Sequence, residues 1–212
     1  MSNATLPRLG AACGAIFAIV LFAANGDGSQ PFSGPRAIAG IAALTLALPF
    51  IGYLCSVLRE ADAETRAGLD SRGGWLASTA LAAGIAGITL KLASGAPELA
   101  AHRAQLAGGT QLQRAVEGIA DGATLLSLYP LAVFCAATAI IAFRTRALPR
   151  WLAVGAAVTA VALAVNGGFL TTNAVPAMLV FILWTLLASV VLLRRAWRRP
   201  APASTAEATT RA

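Results

Sequence analysis

Apolar residues in this chain come in long unbroken blocks, not in the strict alternation of half-buried strands. Six such runs are present: residues 9–25 ("LGAACGAIFAIVLFAAN"), 37–58 ("AIAGIAALTLALPFIGYLCSVL"), 75–94 ("WLASTALAAGIAGITLKLAS"), 122–143 ("GATLLSLYPLAVFCAATAIIAF"), 151–170 ("WLAVGAAVTAVALAVNGGFL") and 176–193 ("PAMLVFILWTLLASVVLL"). Each is close to the roughly 20 residues that a helix needs to cross about 30 Å of hydrocarbon. Backbone polar groups in lipid must be paired within their own segment, so each run predicts a helix. The expected fold class is all-α: a polytopic integral membrane protein with six transmembrane helices in one domain over residues 1–195. The polar, Pro-containing residues 196–212 ("AWRRPAPASTAEATTRA") predict a disordered tail. Pro49 and Pro130 fall inside the second and fourth runs, where each removes one helix hydrogen bond and predicts a kink.

The connections between the runs are unequal. Residues 95–121 form the longest, and they carry helix signals of their own. Pro97 suits the first turn of a short helix, "PELAAHRAQLA", which Gly108 and Gly109 would stop. "TQLQ" at 110–113 matches a capping box, with Thr110 as N-cap, and from there a helix can continue without a break into run four. Leu112, Val116, Ile119 and Ala123 form its apolar stripe, and Thr110, Arg114, Glu117, Asp121 and Thr124 a polar one. An amphipathic helical segment is therefore expected between helices three and four.

Composition supports the membrane reading: 58% of the 212 residues are hydrophobic and 12% charged, about half the charged share of a soluble domain. The net charge of +7 is an orientation signal and not a nucleic-acid footprint. Twelve arginines lie in the first residues, the second and fourth connections and the tail, against three (Arg36, Arg103, Arg114) in the other connections. By the positive-inside rule both termini are expected in the cytoplasm, which puts Trp75, Trp151 and Trp197 at the cytoplasmic membrane boundary. The Ala- and Arg-rich composition fits a GC-rich bacterial genome, so the bacterial cytoplasmic membrane is the expected location. "LFAANGD" after run one offers no small-x-small cleavage site, so that run is expected to stay as a helix. Cys13, Cys55 and Cys135 sit in apolar runs with no disulfide or metal spacing.

The one lysine, Lys91, is the chemical oddity. Sixteen residues beyond Trp75, it lies about 24 Å along a helix, in the outer half of the membrane. Ala77, Ala80, Gly84, Gly87 and Lys91 share a stripe of small residues that lets a neighbouring helix approach closely. Three readings stay open: the amine snorkels to the outer headgroups, pairs with Asp121, Glu117 or Glu98 to fix helix three on helix four, or faces a functional cavity. The candidate ligand-binding cluster at the outer face is Lys91, Asp121, Glu117, Glu98 and His102, with Asn25, Asp27 and Asn166 at outer helix ends. His102 is the only histidine, so no metal site is expected and no cofactor is implied. No catalytic motif is present, and a Ser127–Lys91 pair is the one nucleophile arrangement the spacing leaves conceivable.

Residues 6–26 and 148–167 both open "LPR" and close on Asn-Gly, which fits a parallel repeat or chance in Ala-rich sequence equally well. "WLASTALAAGIAGITLKLASGAPELA" (75–100), "RTRALPRWLAVGAAV" (144–158) and "LVFILWTLLASVVLLRR" (179–195) resemble the bacterial, mostly actinobacterial, membrane proteins of the domain-of-unknown-function family numbered 4386. The resemblance spans residues 7–195 through loosely defined motifs. It implies a compact helical membrane protein and carries over no catalytic residue. The function expected is a non-enzymatic accessory, regulator or small-molecule or lipid binder. The alternatives are a transporter or channel subunit, and an enzyme acting on lipid-linked substrates at the outer face. The expected partners are the bilayer, a small molecule or lipid at the outer face and a second copy of the chain, without nucleic acid.

Overall fold

A computed structural model of the chain describes residues 5–25, 34–65, 74–103, 111–168 and 175–198. Among them there are six α-helices and no strand: α1 (Thr5–Asn25), α2 (Gly34–Thr65), α3 (Trp75–Arg103), α4 (Gln111–Thr145), α5 (Arg150–Gly168) and α6 (Val175–Arg198). All six are long and apolar enough to cross a membrane. Consecutive helices pack side by side and α6 returns to α1, closing a ring in which α2 also touches α4. The most extensive of these interfaces joins α3 to α4.

Several helices outrun their apolar runs. α2 continues through "READAET" to Thr65, a stretch of good helix formers with no Gly or Pro, and buries Asp62 on the way. α6 continues to Arg198, three residues into the expected tail. Ala196 is buried there, and the Arg8 guanidinium of α1 lies 5.0 Å from the centre of the Trp197 ring. Residues 199–212 lie outside the described residues. The separate helix expected to start at Pro97 is corrected: α3 runs through Pro97 to Arg103. A proline costs a helix the hydrogen bond to the residue four before it. That residue is Ala93, on an exposed face near the end of the span, where water can take over the freed carbonyl. α4 is described from Gln111 and runs unbroken into the membrane, through Pro130; Thr110, the expected N-cap, lies outside the described residues.

Outward-facing residues recur every three or four positions: Val154, Val158, Val161 and Val165 on α5, and Val180, Leu183, Leu187 and Val190 on α6, all exposed. In water this belt would aggregate, whereas in a bilayer it is the lipid-facing surface. The inward faces meet around an aromatic ladder. Phe17 of α1 stands edge-on to Phe181 of α6 at 6.5 Å, Phe181 neighbours Trp184 at 6.3 Å, and Trp184 meets Phe134 of α4 edge-on at 6.1 Å. The Trp184 indole donates to the carbonyl of Leu152 on α5 at 3.1 Å, so its one polar atom is satisfied within the core.

Glycines set how close the helices come. A Cβ at Gly87 would stand 2.6 Å from Cγ of Leu131 and 3.2 Å from the Leu131 backbone nitrogen on α4. A Cβ at Gly84 would stand 2.8 Å from Ile51 of α2. Ala77 and Ala80 on the same stripe are buried. On α1, a Cβ at Gly10 would meet Tyr53, and one at Gly14 would meet Phe50 and Ser189.

Gly87→Ala is expected to destabilise the bundle by about 1–3 kcal/mol, the usual cost of overpacking. Gly118→Ala, at a position with open space around it, is expected to be neutral or to gain up to about 1 kcal/mol in helix propensity. Thermal unfolding of both variants in nanodiscs checks the contrast, and equal effects would contradict the close approach of α3 to α4.

Candidate functional site

The two ends of the bundle carry the polar chemistry. At the end away from the termini, α3 and α4 continue beyond the apolar belt, with Ser94 of α3 and Ala120 of α4 buried there. Lys91 is half-buried there, and its Nζ donates to Oγ1 of Thr124 on α4 at 2.9 Å. Thr124 is the lowest member of the polar stripe on α4, one turn below Asp121. Asp121 and Glu117 are exposed, and Glu117 accepts a hydrogen bond of 2.9 Å from Gln113 Nε2. Ser94, one turn beyond Lys91, is buried and donates to the Lys91 carbonyl at 2.7 Å. Ser127 is fully buried and donates to the Thr124 carbonyl at 2.6 Å, so its hydroxyl hydrogen is committed to α4 itself and not to Lys91.

Of the remaining expected cluster, Asn166 is half-buried near the end of α5, beside a close approach in which a Cβ at Gly167 would lie 3.4 Å from the Tyr129 ring of α4. The side chains of Asn25, Glu98 and His102, and Asp27 altogether, lie outside the described residues. Among the described residues no three His, Cys, Asp or Glu side chains gather as metal ligands would. The arrangement at this end can hold an ammonium against a hydroxyl between two helices. Among the described residues its carboxylates, Glu117 and Asp121, are exposed.

The opposite end holds the charge. Eight of the nine arginines with described side chains lie there: Arg8, Arg59, Arg144, Arg146, Arg150, Arg194, Arg195 and Arg198, with only Arg114 at the other end. Exposed Trp75, Trp151 and Trp197 share this end. The short turn from α4 to α5 organises three of the arginines. Arg146 adopts a left-handed conformation (φ 55°), and its N–H donates to the Ala142 carbonyl at 3.0 Å, closing the last turn of α4. Glycine usually occupies such a position because a side chain strains it. Thr145 Oγ1 then accepts from the Ala147 N–H at 3.2 Å. Pro149 opens α5: its carbonyl accepts from Leu152 and Ala153 at 2.9 and 3.1 Å, which leaves Arg150 as the first helical residue. Arg195 reaches across from α6 and donates through Nη1 to the Ala147 carbonyl at 2.8 Å.

Between these residues lies an open hollow of about 730 Å³, lined by Arg146, Ala147, Leu148, Pro149, Arg150, Val191 and Arg195. Three arginines are in its lining, beside Ala147, Leu148, Pro149 and Val191, and no carboxylate is. Sequence reasoning counted these arginines for orientation and missed the hollow. The joining contact, Arg195 to Ala147, spans 48 residues and leaves no periodic trace in the chain. A second, more apolar groove of about 480 Å³ runs between α1 and α2, past Cys13, Pro49 and Tyr53, with Glu60 in its lining.

These features belong to a multi-pass membrane protein with all-helical architecture. No family model, curated protein or solved structure matches the chain.

A double-mutant cycle tests the α3–α4 link. Lys91→Met with Thr124→Val is expected to show a coupling of about 0.6 kcal/mol, typical of side-chain hydrogen bonds inside membrane proteins. Lys91→Met with Asp121→Asn is expected to couple less. Unfolding in nanodiscs reads both, and a reversed order would make Asp121 the dominant partner of the lysine.

Proposed function

We propose that this chain is a non-enzymatic accessory protein of the bacterial cytoplasmic membrane that binds a lipid or small molecule, with both termini cytoplasmic. The observation that carries the reading is the filled centre of the bundle. A conducting or alternating-access protein needs polar groups and broken helices near the membrane midplane. Here that level is occupied by Phe17, Phe181, Trp184 and Phe134, in contact from α1 across α6 to α4. The Trp184 indole, the polar atom of the ladder, is bonded to Leu152. Interaction chemistry is left to the two ends. The twelve-to-three distribution of arginines supports the orientation.

The enzyme alternative asks for acid, base and amine to converge at the outer face. The described contacts, Lys91 donating to Thr124 and Glu117 accepting from Gln113, support a structural role for both. The resemblance to the family numbered 4386 is compatible with this reading and assigns no chemistry to it.

In proteoliposomes, K⁺, H⁺ and small-solute leakage is expected to match that of protein-free vesicles. Flux that rises with the amount of protein would return the transporter or channel reading.

A further inference from the structure

We propose that the hollow between the α4–α5 turn and α6 binds a phosphate ester, the group that an anionic phospholipid presents at this depth. The inference deepens the binding function proposed above and rests on it. Arg146, Arg150 and Arg195 border the hollow, and Pro149 and Val191 contribute apolar surface to it. Guanidinium forks match phosphate oxygens in pairs, and an arginine keeps its charge at any physiological pH.

Charge needed only for membrane orientation would serve anywhere in the loop, on mobile side chains. The turn fixes the backbone at Arg146 and Arg150, and a side-chain bond ties Arg195 to it. Arg146 occupies the left-handed cap of α4, where glycine would sit without strain. Arg150 is the first residue of the 19-residue α5, so the positive end of that helix adds to the field. Arg195 is anchored by one N–H on the Ala147 carbonyl, and a guanidinium has five N–H donors in all. The hollow also sits at headgroup level. Exposed Trp151 follows Arg150 directly, and exposed Phe143 lies just before the end of α4. Exposed Pro149 and half-buried Val191 offer the surface that the glycerol and first acyl carbons of a lipid need, and that a hydrated free ion does not.

The test uses the full chain in nanodiscs of phosphatidylcholine with a minority of phosphatidylglycerol, and counts retained lipids by native mass spectrometry. Arg146→Gln/Arg150→Gln removes two guanidiniums and spares Arg195, which also braces the turn. Arg59→Gln/Arg198→Gln removes the same charge from exposed positions at the same end, outside the hollow. The expected result is a loss of about tenfold in phosphatidylglycerol affinity for the first pair and little change for the second. A parallel arm in pure phosphatidylcholine titrates glycerol 3-phosphate. Arg146/Arg150-dependent thermal stabilisation there, without selective retention of phosphatidylglycerol, would keep the phosphate-ester site and assign its ligand to the soluble pool. Equal losses in the two variants would overturn the site in favour of bulk charge. Unchanged retention in both would also overturn it, while leaving the chain a lipid binder. If the wild type retains no lipid and responds to no phosphate ester, the binding function itself fails.

Discussion

Close approach of α3 to α4 is the constraint on which the rest of the bundle depends. Lipid tails are as apolar as leucine, so helices in a bilayer gain little by hiding apolar surface from one another. What joins them is van der Waals fit and a few interhelical hydrogen bonds. Gly87 against Leu131 and Gly84 against Ile51 bring α3 near enough to α4 and α2 for that fit. Because the same stripe ends at Lys91, the approach that packs Gly87 also delivers the amine to Thr124. The lysine is tolerable because packing supplies its partner. A larger residue at 87 would push apart the helices that carry the two atoms. Gly10 and Gly14 do for α1 what Gly84 and Gly87 do for α3, so the ring closes on both sides through small residues.

The closed ring explains why chemistry is confined to the ends. Phe17, Phe134, Phe181 and Trp184 fill the middle, and each serine or threonine with a described bond at this level turns its hydroxyl back on its own helix. Thr159 donates to Gly155, Thr185 to Phe181 and Ser189 to Thr185. Such back-bonding satisfies these hydroxyls within their own helix; buried Thr138 of α4 is the exception, its Oγ1 having no hydrogen-bond partner among the described residues. Polar groups that must reach outward are left to the helix extensions, which stand at or beyond the headgroups.

The helical class and the six spans were legible because lipid enforces a simple rule: a span needs about 20 apolar residues, and those blocks are visible in any hydropathy trace. The small-residue stripe was legible too, since a 3-4 spacing fixes a helix face before any neighbour is known. Pro97 was misread because the initiation rule for proline assumes a chain free to start a helix there. A helix already formed and leaving the membrane continues through a proline at the loss of one bond. The ends of α2 and α6 were drawn short because hydropathy reports where lipid ends and not where a helix does. The arginine hollow was invisible for a different reason. Its members come from a turn and from a helix far along the chain, and the contact that brings them together, Arg195 to Ala147, is tertiary. For Lys91, charge arithmetic favoured Asp121, then Glu117 and Glu98; the described hydrogen bond goes to the Thr124 hydroxyl, nearer the level of the lysine, and the Glu98 side chain lies outside the described residues.

The two polar ends are built on opposite principles. At the α3–α4 end the cation is half-buried and bonded to a neighbouring helix, and the described carboxylates Glu117 and Asp121 are exposed. At the other end the cations border an open hollow, and the contact that braces it, from Arg195 to the turn, uses one donor of a group that has several. A bonded, half-buried lysine holds a fold together, because moving it would strand a charge in lipid. Arginines gathered at the membrane surface with donors to spare repel one another, and an added anion relieves that repulsion. The proposed roles, stability for Lys91 and binding for the Arg146, Arg150 and Arg195 hollow, follow this asymmetry, although Lys91 is the charge that first attracts notice in the chain.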